Sequence, residues 1–129
     1  MAGGNNTRHK FRSDYELSVA KYLAEQGVTF EYESKKLSYQ PKLKTYTPDF
    51  YLPEQDIYVE AKGFFSPADR QKMLLVIKQN MFCDIRMLFL RASNKLNRSS
   101  KTTYGSWCDK HGILWADGTI PLEWLEKKA

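Results

Sequence analysis

The sequence predicts an α/β fold in which a mixed central β-sheet is flanked by helices. Three observations carry this. Residues 13–26 have the caps and apolar spacing of an amphipathic helix, residues 28–33 and 47–62 have the composition and alternation of strands, and a second capped helix from Ser66 leads into the apolar run 85–90. At 129 residues, 42% of them hydrophobic, the chain suits one domain with a modest single core.

Ser13 is placed to cap the first helix, with Glu16 at its third position completing a capping box and Gly27 as the stop. In residues 28–33, Val28, Phe30 and Tyr32 fall on one face and Thr29, Glu31 and Glu33 on the other. Residues 34–46 carry Lys35, Lys36, Lys42 and Lys44, no acid, and Pro41, so they read as a basic connector or irregular bridge. Residues 47–52 and 57–62 are rich in aromatic and β-branched side chains, with turn chemistry in Pro53-Glu54-Gln55-Asp56 between them, and form a hairpin. A second helix starts with Ser66 as cap and Pro67 at its first position and runs to about Asn80. Residues 85–90 are a third strand, 102–110 a short helix ending near Gly112, 113–116 a final edge strand, and 121–127 a terminal helix.

A net charge of +5 and a pI near 9.2 favour a polyanionic partner, while 15 acidic residues exclude a mere basic tail. Cys83 and Cys108 are too few for a disulfide framework or a zinc site and read as reduced core residues. Residues 1–10 are polar and basic with no apolar leader, and form a flexible tail that can order on nucleic acid. The longest apolar runs, 73–77 and 87–90, are too short to span a bilayer, so a soluble cytoplasmic protein is expected.

The hairpin register carries the chemistry. If the loop closes with Leu52 opposite Ile57, then Tyr51 faces Tyr58, Phe50 faces Val59 and Asp49 faces Glu60. Opposed Cβ atoms lie roughly 5 Å apart, where like charges repel unless a cation sits between them. Alternation adds Lys62 to the face of Glu60. Hard oxygen ligands suit magnesium or manganese, and the lysine can orient a water or neutralise developing charge. The alternative is an exposed hairpin whose charges serve solubility, with a weak Glu60–Lys62 pair. Pro48-Asp49 followed by Glu60-Ala61-Lys62 resembles the signature of the PD-(D/E)xK nuclease superfamily.

Other candidates have competing readings. Glu16 is explained by the capping box, yet it shares a helical strip with Ala20 and Leu23 that leads inward. Glu31 falls on the polar strand face, where a solvated glutamate is the default. His111 suits a helix C-terminus, and His9 in the tail is uninformative. Tyr15, Tyr22, Trp107, Trp115 and Trp124 suit core faces, the alternative being stacking on unpaired bases. Arg91, Lys95, Arg98 and Lys101, like the lysines of 34–46, suit phosphate contacts.

Larger blocks narrow the reading. Phe11-Arg12-Ser13 with Glu16, Phe30-Glu31-Tyr32-Glu33, Tyr46-Thr47-Pro48-Asp49-Phe50, Val59-Glu60-Ala61-Lys62-Gly63, Tyr104-Gly105, Cys108 and Lys110-His111-Gly112-Ile113 resemble the bacteriophage endonuclease I family of Holliday-junction resolvases. Ala116-Asp117, Ile120-Pro121 and Glu123-Trp124 extend the likeness, which runs in one order from Phe11 onward. Residues 1–10 do not match clearly, and the sequence stops soon after Glu126, before the long basic extension of the family, so some DNA affinity is expected to be carried differently.

The resemblance implies a single nuclease domain over 11–129 and a structure-selective endonuclease that resolves branched DNA. It implies metal binding by Asp49, Glu60 and Glu16, with Ala61 in the same set, assistance to the water or phosphate from Lys62, and a functional role at the position of Glu31. Two magnesium or manganese ions, roughly 3.5 to 4 Å apart, would serve each site, and products would carry 5′-phosphates. It also implies a domain-swapped homodimer in which residues 11–33 pack on the partner, residues 34–46 form the crossing, and Glu16 completes the other subunit's site. A sequence-specific or repair nuclease on linear duplex, and a junction-binding protein that does not cut, are the alternatives.

Overall fold

A computed structural model describes residues 11–39 and 44–128. The tail of residues 1–10 and Lys42 of the connector lie outside the described residues. The first helix, α1 (Asp14–Glu25), is capped by Ser13, whose hydroxyl accepts from the Glu16 amide at 3.0 Å. The expected box is one-sided: the Glu16 carboxylate takes the amide of Arg12 at 3.1 Å, turning back past the cap. Gly27 ends the helix at φ +68°, where a side chain would be strained.

Strand β1 (Glu31–Tyr32) is shorter than 28–33, but the alternation holds, with Val28, Phe30 and Tyr32 all buried. The stretch read as an irregular connector instead contains β2 (Leu37–Tyr39) and β3 (Lys44–Tyr46), an antiparallel pair with Leu37 opposite Tyr46 and Tyr39 opposite Lys44. Two tyrosines decide this against the local charge. Tyr39 and Tyr46 are buried in the cluster that includes Met73 and Val76, while Lys36 and Lys44 stay exposed.

The central sheet continues through β4 (Phe50–Leu52), β5 (Ile57–Lys62), β6 (Ile85–Phe89) and β7 (Trp115–Asp117), in the order β1-β4-β5-β6-β7. The β1–β4 and β4–β5 pairs are antiparallel, and β5–β6 and β6–β7 parallel. The hairpin register is the expected one: Phe50 faces Val59, Tyr51 faces Tyr58 and Leu52 faces Ile57. Helix α2 (Pro67–Gln79) makes the crossover to β6 and opens on a full capping box between Ser66 and Asp69. Helix α3 (Tyr104–Lys110) leads to β7 at the sheet edge. The expected terminal helix is only a 3-10 turn, Leu122–Leu125. It is pinned by buried Trp124 beneath Arg86 and by the Gln55 amide bonding to Leu125 carbonyl oxygen at 2.8 Å, and the chain turns extended at Glu126.

Two apolar layers sandwich the sheet. Val19, Leu23, Phe50, Leu52, Val59 and Leu88 close one face under α1, and Phe65, Met73, Val76, Met87, Phe89 and Trp107 close the other under α2 and α3. Strand β6 contributes to both, which is why its sequence is nearly continuous in apolar residues. Full burial of each large side chain contributes about 1.5–3 kcal/mol. Cys108 is buried and its thiol is pushed up to about 12 by that burial, whereas Cys83, expected in the core, is only half-buried in the turn after α2. Among the described residues no helix is long and apolar enough to cross a membrane.

Gly105 marks the tightest contact between α3 and β7. A Cβ there would meet Trp115 Cζ2 at 2.7 Å, and the indole is held by its N–H bond to Asp109 at 2.8 Å. Alanine would gain about 1 kcal/mol of helix propensity, but overpacking costs typically about 1–3 kcal/mol. Gly105→Ala should therefore lower the urea unfolding midpoint; an unchanged or higher midpoint would show that the indole yields freely.

Candidate active site

Sheet register builds the site. Beyond the last β1–β4 pair, Tyr32 with Phe50, the Glu33 amide donates to the Asp49 carbonyl at 3.1 Å, so Glu33 and Asp49 are neighbours. Beyond the first β4–β5 pair, Asp49 sits beside Glu60 as the hairpin register requires. The Asp49 amide donates to Glu60 Oε1 at 3.4 Å, and the Ala61 amide donates to Asp49 Oδ2 at 2.9 Å. Three carboxylates thus lie side by side across three strands. Helix α1 brings a fourth: one oxygen each of Glu16, Glu33 and Asp49 lie within 4.8 Å of one another.

Glu16, Asp49 and Glu60 are buried, and Glu33 half-buried. Burial raises the Asp49 carboxyl first, the Glu60 and Glu16 charges add to it, and the Ala61 amide and Lys62 only partly compensate, leaving it pushed up to about 9. Glu60 is also raised by burial, against the pull of Lys62 and of the Tyr46 hydroxyl, which donates to Glu60 Oε1 at 2.5 Å. The Tyr32 hydroxyl donates to Glu16 Oε1 and itself accepts the Arg12 amide at 3.1 Å. Burial and the neighbouring carboxylates keep both phenols well above their ordinary range, so both remain donors.

Two cations face this cluster. Lys62 Nζ lies 3.4 Å from Glu60 Oε2 and 3.5 Å from Asp69 Oδ1, and Arg12 Nε lies 2.8 Å from Glu33 Oε2. Burial works against the Lys62 ammonium, but Glu60, Asp69 and Asp49 outweigh it and raise its pKa. Among the described residues these four carboxylates, when ionised, face two cations, one of them shared with Asp69, and are short of positive charge. An all-oxygen donor set with that deficit fits a hard divalent cation.

The structure thus gathers Glu16, Asp49, Glu60, Ala61 and Lys62 in one place. It does not gather Glu31, which points to the opposite strand face, accepts from the Ser34 hydroxyl at 2.5 Å and lies 3.7 Å from Lys35. Glu33 stands in the cluster instead, at φ +50°, the left-handed turn that carries the chain out of β1. Glu33, the two tyrosines, Arg12 and Asp69 were missed by sequence reasoning. Pairing of 28–33 against 47–52, like the hairpin register, is the signal that could have found Glu33. His111 is the C-cap of α3, its ring 4.6 Å from that of Trp107, apart from the carboxylates.

Of the cations expected to meet phosphate, Lys35 is tied to Glu31 and lies over the Tyr51 ring at 5.1 Å. Lys36, Lys44, Arg91, Lys95, Arg98 and Lys101 are exposed, and among the described residues none has an acidic partner within 4.0 Å. The loop carrying the last four begins where the Leu90 amide bonds to the Lys62 carbonyl at 3.0 Å, at the mouth of the site. Its course is ordered by a bridge between Lys95 and Thr103.

Known proteins are similar to this chain in sequence. Endonuclease I of Escherichia phage T7 is 45% identical over 119 residues, which cover 91% of this chain and 79% of the relative. Endodeoxyribonuclease 1 of Enterobacteria phage T3 is 44% identical over 128 residues, covering 95% and 84%. The family model described as phage endonuclease I matches residues 1–129, tail included, so residues 1–10 fall within the likeness after all. The chain belongs to the phage endonuclease I family.

Proposed function

We propose that this protein is a divalent-metal-dependent endodeoxyribonuclease of the PD-(D/E)xK type that resolves four-way (Holliday) and other branched DNA junctions. The observation that carries the reading is the row Glu33, Asp49 and Glu60 with Glu16 above it and Lys62 beside it. Relatives named endonuclease support it. Glu16, Asp49, Glu60 and the Ala61 position would hold the cation, with Glu33 in reach. When bound, magnesium or manganese supplies Lewis-acid polarisation of the phosphate and an activated water.

The chain's own groups do the rest. Lys62 stays protonated, so its role is to steady a phosphate oxygen as charge builds, rather than to take a proton. Tyr32 and Tyr46 each hold one oxygen, of Glu16 and Glu60 respectively, and the second oxygen of Glu60 faces Lys62. The unpaired cations Arg91, Lys95, Arg98 and Lys101, with Lys36 and Lys44, grip the backbones of the arms, and affinity should fall steeply with salt. We further propose a homodimer that exchanges residues 11–33. The α1 and β1 contacts made within one chain can be made identically between two. Each site would then take Glu16 from the partner.

Cleavage of a four-way junction beside its arms as linear duplex, with magnesium or chelator, tests the reading. The junction should be cut, and only with metal; equal cutting of linear duplex supports a linear-duplex enzyme, and none a binding protein. Asp49→Ala and Glu60→Ala should abolish cleavage and keep junction binding, and Lys62→Ala should slow single-turnover cleavage by at least tenfold. Normal rates in any of the three would remove that residue from the mechanism. In a verified heterodimer of Glu16→Ala and Glu60→Ala chains, one working site should return; failure to nick argues for sites made within one chain.

The metal-free site costs stability. Folded Asp49 stays protonated to about pH 9, whereas unfolded aspartate ionises near pH 4. Between these values unfolding releases its proton, so this group lowers stability as pH rises from about 4 toward 9. Asp49→Asn should raise the metal-free melting temperature at pH 8 by roughly 4 °C or more, about 1 kcal/mol, with the gap closing near pH 4. Added magnesium should stabilise the wild type and not the variant. Equal melting at pH 8 would mean that Asp49 bears no such penalty.

A further inference from the structure

Resting on the nuclease reading, we infer that Phe64 is a substrate-positioning residue whose ring stacks on a nucleobase next to the phosphate being cut. Phe64 is two residues past Lys62, and 71% of it is exposed. An isolated exposed apolar side chain is ordinary. This one is held outward by its neighbours. The Phe65 ring is fully buried among Phe89, Tyr104 and Trp107, with centroids 5.1 to 5.7 Å away. The Phe65 amide donates to the Tyr104 hydroxyl at 3.2 Å, and its carbonyl accepts from Arg70 at 2.9 Å. On the other side the Lys62 carbonyl accepts the Leu90 amide and the Lys62 ammonium is tied to Glu60 and Asp69. Gly63 and Phe64 are therefore a two-residue span clamped at both ends, so the backbone that presents the ring is fixed.

Its surroundings name the occupant. Leu90, 49% exposed, follows β6 and bonds through its amide to the Lys62 carbonyl, and the unpaired cations of the following loop begin at Arg91. A flat apolar group between a phosphate-binding lysine and a basic loop matches the alternation of base and phosphate along an unpaired strand. Branch points offer such bases, since stacking is interrupted there, and a base seated on Phe64 would set which phosphate reaches Lys62.

The test uses the full-length wild type, Phe64→Ala and Phe64→Trp with a four-way junction carrying 2-aminopurine beside the mapped cut. Phe64→Ala should slow magnesium-dependent single-turnover cleavage roughly 5- to 150-fold, the equivalent of about 1–3 kcal/mol of stacking at about 1.4 kcal/mol per tenfold. Phe64→Trp should restore the rate. The 2-aminopurine signal change on binding in chelator should vanish in Phe64→Ala, with the melting temperature and dimer mass unmoved. Unchanged cleavage and fluorescence overturn the stacking role while leaving the nuclease reading intact. A lowered melting temperature or a dissociated dimer overturns it in favour of a packing or partner contact. A wild type that cuts no DNA with magnesium sinks the nuclease reading, and the stacking role with it.

Discussion

The constraint on which the rest depends is the burial of like charges around Asp49. Three strands and a helix converge so that Glu16, Glu33, Asp49 and Glu60 share one small volume, three of them shielded from water. Nothing in folding favours this by itself: desolvation and mutual repulsion both act against it, and the raised Asp49 and Glu60 carboxyls record the cost. The apolar layers on both faces of the sheet offset it. A cluster of carboxylates that could hold a cation is thereby kept together at the expense of stability.

The polar partners are arranged to limit that cost without removing the deficit. Each phenol, Tyr32 and Tyr46, donates to one oxygen of one carboxylate and is kept protonated by the same burial and charges that raise it. The Ala61 amide takes one oxygen of Asp49. Lys62 is shared between Glu60 and Asp69, so the N-terminal turn of α2 also fixes the ammonium. Because Asp69 is at once the capping-box residue of α2 and a partner of Lys62, local helix chemistry and site geometry are joined in one side chain.

The positive surface is organised from the same strand ends. Parallel pairing of β5 and β6 places Lys62 opposite Phe89, and the chain leaving Phe89 becomes the loop of Arg91, Lys95, Arg98 and Lys101. Carboxylates gather inside, and a loop of exposed cations starts beside Lys62. That separation lets one chain attract a polyanion and still concentrate negative charge where a cation is needed.

Much was legible in the chain because its causes are local. The Ser13 and Ser66 caps, Gly27 and Pro67 mark helix ends through backbone bonds to near neighbours, and the four-residue loop dictated the register that sets Asp49 beside Glu60. The β2–β3 pair was not legible, since its lysines describe the solvent side and only the distant α2 makes Tyr39 and Tyr46 core residues. Glu33 was hidden for the same kind of reason. Alternation put it with Glu31 on a polar face, and only the turn at φ +50° and the pairing to Asp49 separate the two. The sequence alone thus determined α1 to α3, the hairpin and the closeness of Asp49, Glu60 and Lys62, because a tight hairpin fixes their register. Tertiary structure alone decided that Glu33 joins them and Glu16, that Glu31 does not, and that Asp49 is driven up, because those depend on which strands meet and how much water is left between them.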